Sequence, residues 1–211
     1  MPAAEASRRG FATTFGSRYF IWLVLSLPAA IQTYRYWQGA TFYGEYLHWT
    51  GESAAQLLMV TLAITPLRLA FPSLRWVRWL LVRRRYLGVA TFGYSLLHAL
   101  AYLEQEAALQ PIIDDAFDIP IGTGWIALII FLLLAVTSND ASVRRLKAKW
   151  KTLHRAVYFA AALTFAHWLL TAFDPLVGSI HLAVLALLLA FRAWRSRRNA
   201  PTRTAVPTDR E

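Results

Sequence analysis

Six apolar runs, separated by loops whose charge alternates in sign, leave this chain few ways to fold. The runs are residues 19–37, 54–69, 86–103, 121–137, 155–173 and 177–194. A helix crossing the hydrocarbon core takes about 20 residues, with a range of about 17–25. The second run is the shortest and ends near Pro66. Pro28 predicts a kink or a break in the first helical ladder.

Charge orients the runs. Arg8, Arg9 and Arg18 precede the first. Arg68, Arg75, Arg78, Arg83, Arg84 and Arg85 lie between the second and third, and Arg144 to Arg155 between the fourth and fifth. Arg192 to Arg210 follow the last. Of the 22 Lys and Arg residues, only Arg35 falls elsewhere. The alternate loops carry Glu45, Glu52, Glu104, Glu106, Asp114, Asp115, Asp118 and Asp174. Basic loops stay on the cytoplasmic side. The expectation is an all-α integral membrane protein, a six-transmembrane-helix bundle with N and C termini cytoplasmic.

Composition agrees. The chain is 57% hydrophobic, with a mean hydropathy of +0.38. Its net charge of +10 sits in loop blocks, which argues for a lipid bilayer and against nucleic acid as the partner. With no cysteine, the chain has no disulfide, no thiolate cluster ligand and no thioether attachment point. Residues 1–18 are expected to be a cytoplasmic segment ahead of a retained helix, not a cleaved signal. Residues 19–195 form the expected membrane domain, and the polar, Pro-containing stretch 196–211 a disordered cytoplasmic tail. Residues 74–82 are expected to form a short interfacial helix, with Trp76, Trp79 and Leu80 on one side. Trp37, Trp49, Trp150 and Trp194 fit an interfacial aromatic belt.

Histidine carries the chemistry. His98 lies 12 residues past Tyr86, and His167 lies 13 past His154. The third and fifth runs point the same way, so at about 1.5 Å per residue both histidines sit roughly 18–20 Å above the cytoplasmic end. Intramembrane ionisable residues are costly and mark functional sites. Two imidazoles at one depth can grip a flat macrocycle from its two faces, and imidazole is a good axial ligand for haem iron. The other reading of each is an interhelical hydrogen bond. Ala160 and Ala156, on the face beneath His167, leave room for a porphyrin or allow close helix packing.

His154 belongs to a lower layer, roughly 20 Å from His167. That separation excludes one mononuclear site shared by all three histidines, since metal–nitrogen bonds are about 2 Å. An ideal helix turns about 220° over thirteen residues, so His154 and His167 do not share a face without a bulge or a tilt. Arg84, 14 residues before His98, lies beneath it at the depth of His154. It could pair with a haem propionate, or simply orient the helix with Arg83 and Arg85. His48, in the first outer loop, and His181 read as surface or packing residues.

Four stretches carry a resemblance: HWTGESAAQLLMVTLAITPLR, RRRYLGVATFGYSLLHALAYL, LAVTSND and WKTLHRAVYFAAALTFAHW. Over residues 48–173 the chain resembles the ferric-reductase-like transmembrane domain family. Within it, the chain looks most like the haem-binding membrane subunits of the periplasmic methionine sulfoxide reductase system. The resemblance implies that His98 and His167 ligate one haem b and that His154 belongs to a second. Ferric reductases and NADPH oxidases of this type carry an earlier histidine on the third helix; here that position is Arg84, a departure the haem subunits share. The Arg-Pro-Tyr triplet usual before their fourth helix is replaced by Asp118, Ile119 and Pro120.

The implied activity is that of an oxidoreductase electron-transfer subunit in the bacterial inner membrane. A cytosolic flavin reductase or the quinone pool would supply electrons, and a periplasmic molybdenum-containing reductase would accept them. The family is also linked to FMN, for which the sequence shows no motif. No Gly-rich dinucleotide fingerprint is present, so pyridine-nucleotide chemistry falls to a partner. Two other classes remain: a ferric or other metal reductase-like cytochrome with a different acceptor, and a small membrane transporter. Runs two, four and six lack the central charges a transporter usually shows.

Overall fold

A computed structural model describes residues 17–106 and 108–198. Among these residues it is all helix: α1 (Arg18–Trp37), α2 (Tyr43–Ala70), α3 (Arg75–Glu106), α4 (Leu109–Phe117), α5 (Ile119–Val136), α6 (Asp140–Leu146), α7 (Ala148–His154), α8 (Ala156–Thr171) and α9 (Leu176–Arg198). The N-terminal expectation for residues 1–16 and the tail expectation for 199–211 lie outside the described residues. Residues 196–198, assigned to that tail, instead extend α9.

The apolar runs all became helix, but several helices outgrow them. α3 has 32 residues, about 48 Å of helix against a core of about 30 Å. The separate interfacial helix expected at 74–82 does not exist, because its residues are the first turns of α3. Pro72 and Ser73 end the preceding turn, and nothing after Arg75 interrupts the ladder. α2 likewise starts well before residue 54, so His48 lies on a helix and not in a loop. Neither Pro28 nor Pro66 ends its helix; each removes one N–H from a ladder that neighbouring turns keep in place. The outer loop after α3 contains the unexpected short helix α4.

Local capping explains the breaks. Asp118 accepts from the Ile119 N–H at the start of α5, with Pro120 in the first turn. The Asn139 side chain accepts from the Ser142 N–H at the start of α6. Gly39, at φ 70°, takes the left-handed turn after α1 that glycine adopts freely.

α2 packs mainly on α3, and α5 on α8, with α9 against α2. The main core joins Leu58 and Leu62 of α2, Ala127 and Phe131 of α5, Ala160 and Phe165 of α8 and Leu185 of α9. A second core joins Ala29, Ala54 and Tyr94 of α1, α2 and α3. The outward faces are apolar too: Leu23, Leu27 and Ile31 on α1, Ile129 and Leu133 on α5, and Val184 and Leu187 on α9 are exposed. A helix apolar on every face suits lipid, not water. Four helices, α2, α3, α5 and α9, are long and apolar enough to cross a membrane; α1 and the 16-residue α8 do not meet that combination of length and apolarity.

Arg85 of α3 donates to Asp140 of α6 at 2.6 Å. This hydrogen bond and its charge hold the Asp140 carboxyl below its usual value. A depressed carboxylate stabilises above its unfolded pKa, and the contribution fades as pH falls through the folded one. Both groups are exposed, so the effect is small. Asp140→Asn is therefore expected to lower the melting midpoint slightly at neutral pH and not at all in strong acid. A large drop at neutral pH in a thermal melt would contradict this.

Candidate functional site

α3 and α8 bring His98 and His167 together. Their ring centroids are 6.0 Å apart and their planes cross at 85°. Each ring is tied down by a neighbouring helix. His98 Nδ1 lies 2.9 Å from the Leu47 carbonyl oxygen of α2. His167 Nδ1 lies 2.8 Å from the Pro120 carbonyl oxygen of α5. A carbonyl only accepts, so Nδ1 carries the proton in both rings, and a neutral imidazole then keeps its lone pair on Nε2.

The surroundings repeat as well. Thr50 donates to the Leu47 carbonyl at 2.9 Å, and Thr123 to the Pro120 carbonyl at 2.8 Å. The next residue in each case is a glycine against the histidine ring. A Cβ on Gly51 would stand 2.9 Å from His98 Nδ1, and one on Gly124 2.9 Å from His167 Nδ1.

Between α2, α3, α5 and α8 lies a cavity of about 350 Å³ that both histidines line. Gly44, Ala55, Ala99 and Ala127 keep its walls small. Trp125 also lines it, and its indole N–H is buried with no acceptor among the described residues. Such an orphaned donor calls for an occupant bearing an acceptor. A metal–nitrogen bond of about 2 Å on each side, with the rings' own width added, puts opposed imidazole centroids about 6 Å apart. No group of three or more His, Asp or Glu side chains among the described residues could hold a bare ion. Two imidazoles complete the coordination of an iron that already has four in-plane nitrogens. The residues fit a bis-imidazole haem.

His154 stands elsewhere. Its Nε2 lies 3.1 Å from Thr137 Oγ1, and its ring stacks on Trp150 at 3.9 Å. The Thr137 hydroxyl proton is already given to the Leu133 carbonyl at 2.7 Å, so His154 Nε2 donates, leaving Nδ1 for a further partner. Burial, then the Arg84 and Arg85 charges, hold the imidazole below its ordinary value, so it is neutral at pH 7. α7 and α8 meet at Arg155, whose backbone stays in the right-handed helical region at φ −70° and ψ −21°. Arg84 is half-buried, with Nη1 3.4 Å from Thr65 Oγ1. It lies about 21 Å along α3 from His98.

The remaining sequence candidates separate. Ala160 is in the packed core and not on the cavity wall, so it serves helix packing. His48 lines the cavity and pairs with Glu52 at 3.4 Å. His181 bonds its own helix at Val177 and packs beside Trp168. Sequence reading missed Thr123, Gly124 and Trp125, and took Thr50 and Gly51 only as part of a stretch that carries the resemblance, with no role at the site. A signal was present: the chain has two Thr-Gly dipeptides, and both are here.

The family described as "Ferric reductase like transmembrane component" matches residues 50–165. The match takes in Gly51, His98, Gly124 and His154 and stops two residues short of His167. The chain belongs to this family. Among its curated relatives is the "Protein-methionine-sulfoxide reductase heme-binding subunit MsrQ" of Rhizobium meliloti (strain 1021), 38% identical over 76% of this chain and 77% of the relative. The proteins of the same name from Xanthomonas oryzae pv. oryzae (strain MAFF 311018) and Xanthomonas campestris pv. campestris (strain B100) are 33% and 34% identical, each over 85% of this chain and 88% of the relative. No solved structure matches. The matched region spans a little over half of this chain.

Proposed function

We propose that this chain is a b-type haem electron-transfer subunit of the bacterial inner membrane, with six spans and both termini in the cytoplasm. The observation that carries the reading is the His98–His167 pair: two carbonyl-anchored imidazoles at haem spacing across one cavity. The relatives' names supply the cofactor and the system. The basic loops supply the orientation, with α1 and α8 as the two further spans.

His98 and His167 hold the iron through Nε2. The cavity walls are mostly apolar, and the Trp125 N–H would meet an acceptor on a bound group. Haem iron held there supplies one-electron reduction and reoxidation. His154 Nδ1, with Arg84 near enough for its charge to act on the ring, is the second candidate ligand position. Electrons would come from a cytosolic flavin reductase or quinol and leave to a periplasmic molybdenum methionine sulfoxide reductase. We assign no FMN site. The family description also admits a ferric reductase with another acceptor.

Spectra of the purified, haem-loaded protein test the reading. A Soret band that sharpens and shifts on dithionite reduction, with a b-type pyridine haemochrome, is expected. A protein that stays colourless after haem is supplied overturns it.

A further inference from the structure

We propose that the Thr50-Gly51 and Thr123-Gly124 steps are a duplicated clamp that positions His98 and His167 and biases an iron between them toward its ferric state. The proposal rests on the haem reading above and extends it to residues outside the ligand set.

The two halves share one pattern, with one difference: the Thr50 hydroxyl is shared between the Leu47 and Tyr46 carbonyls, each at 2.9 Å, whereas Thr123 faces the Pro120 carbonyl alone. In each, a carbonyl at position i accepts from the histidine, a threonine at i+3 donates to that same carbonyl, and a glycine sits at i+4. The carbonyl of a helical residue lies beneath the side chain of the residue four further on. A side chain there would cover the oxygen; glycine leaves it open to a ring from the next helix. The contacts are nearly the same on both sides. An added Cβ would meet Nδ1 at 2.9 Å and Cε1 at 3.0 Å at Gly51, and again 2.9 and 3.0 Å at Gly124. Real Cβ atoms do not approach that closely, so the ring would have to shift from the carbonyl that anchors it.

Among the other described helical glycines, Gly44, Gly88 and Gly93 have nothing within 4 Å of an added Cβ, Gly122 meets the Ala116 backbone oxygen at 2.8 Å, and Gly178 meets the Leu169 side chain at 3.2 Å; a histidine ring is the neighbour at Gly51 and Gly124 alone. Glycine is also among the poorest helix formers, so local propensity does not account for it at 51 and 124. The surfaces it opens belong to histidine rings and not to another backbone, which separates these contacts from ordinary small-residue helix packing.

Two consequences follow for a bound iron. The anchoring carbonyls come from different helices and set the rings at 85°, so the imidazole planes are crossed. Each Nδ1–H given to a carbonyl raises the basicity of Nε2 and favours the higher oxidation state. Losing such a bond weakens ferric binding more than ferrous, and the potential rises.

The test compares Gly51→Ala, Gly124→Ala and Gly88→Ala in the full chain, purified and loaded with haem. Alanine at 51 or 124 is expected to weaken haem retention by about 10–100-fold. A tenfold loss confined to the ferric form raises a one-electron potential by about 59 mV. The strongly anisotropic ferric EPR signal of crossed imidazoles should also collapse or move. Gly88→Ala should change none of these. Wild-type retention, potential and EPR in both clamp variants would overturn the clamp and leave the haem reading standing; a wild type that takes up no haem would overturn both. A second measurement needs no haem. Gly51→Ala should destabilise the apoprotein only while His98 is present, so the cost should vanish in a His98→Ala background. An equal cost in both backgrounds would overturn the clamp even if Gly51→Ala folds poorly.

Discussion

His98→Ala and His167→Ala are each expected to abolish the low-spin haem spectrum of the purified protein. A pair of axial imidazoles acts as a unit. With one removed, the other cannot hold the iron from both sides, and the remaining contacts are those of a cavity walled by small residues. The fold should survive. Each substitution removes one hydrogen bond, to the Leu47 or the Pro120 carbonyl, worth about 0.5–1.5 kcal/mol. Both carbonyls keep the donation from Thr50 or Thr123. The variants should thus be recovered in the membrane and run as wild type on gel filtration while lacking the Soret band. His181→Ala, whose ring bonds only its own helix and packs beside Trp168, should keep the full spectrum. An intact low-spin spectrum in either His98→Ala or His167→Ala would move the ligands elsewhere.

Phe165→Ala is expected to cost the bundle about 3–5 kcal/mol, the usual range for emptying a buried phenylalanine site. Phe165 is 1% exposed. It sits where α2, α5 and α8 meet, in one cluster with Leu58, Leu62, Ala127 and Phe131, and it stacks on Trp168 with centroids 6.1 Å apart. Lipid tails are as apolar as the core, so little of this cost is hydrophobic transfer. The loss is dispersion contact around a void that rigid helices cannot close, which places the value near the lower end of the range. Trp168 lines the cavity between His98 and His167, so the void also loosens a wall of that cavity. Equilibrium unfolding in detergent should show the drop, with Phe165→Leu intermediate. A Phe165→Ala protein as stable as wild type would mean the four-helix junction is not the centre of the core.

How much could be read beforehand differs by residue. The helices were visible because lipid demands long apolar runs, and each run is helical to within two residues at its ends. Their ends were not visible. The mixed arginine and apolar pattern from Arg75 to Val82 reads as a separate amphipathic helix, yet no proline or cap residue parts it from the apolar run that follows, so the ladder continues unbroken. The pairing of His98 with His167 followed from equal depth on two helices pointing the same way. The role of Ala160 did not: depth and face alone could not separate a cavity wall from a core contact, and Phe165, Leu58 and Leu62 settled it by packing there. The role of the Thr-Gly steps could not be read because a glycine in a helix has no meaning until the neighbour it admits is known.

The chain alone declared its apolar helices, and its charge pattern and histidines supplied the expected direction and the candidate side chains, since hydropathy, charge and histidine content are properties of residues taken one at a time. Folding in three dimensions decided which carbonyls and which glycines meet the histidines, and so how the two rings face each other. Those are contacts between helices, and spacing along one strand of sequence does not specify the azimuth at which two helices touch.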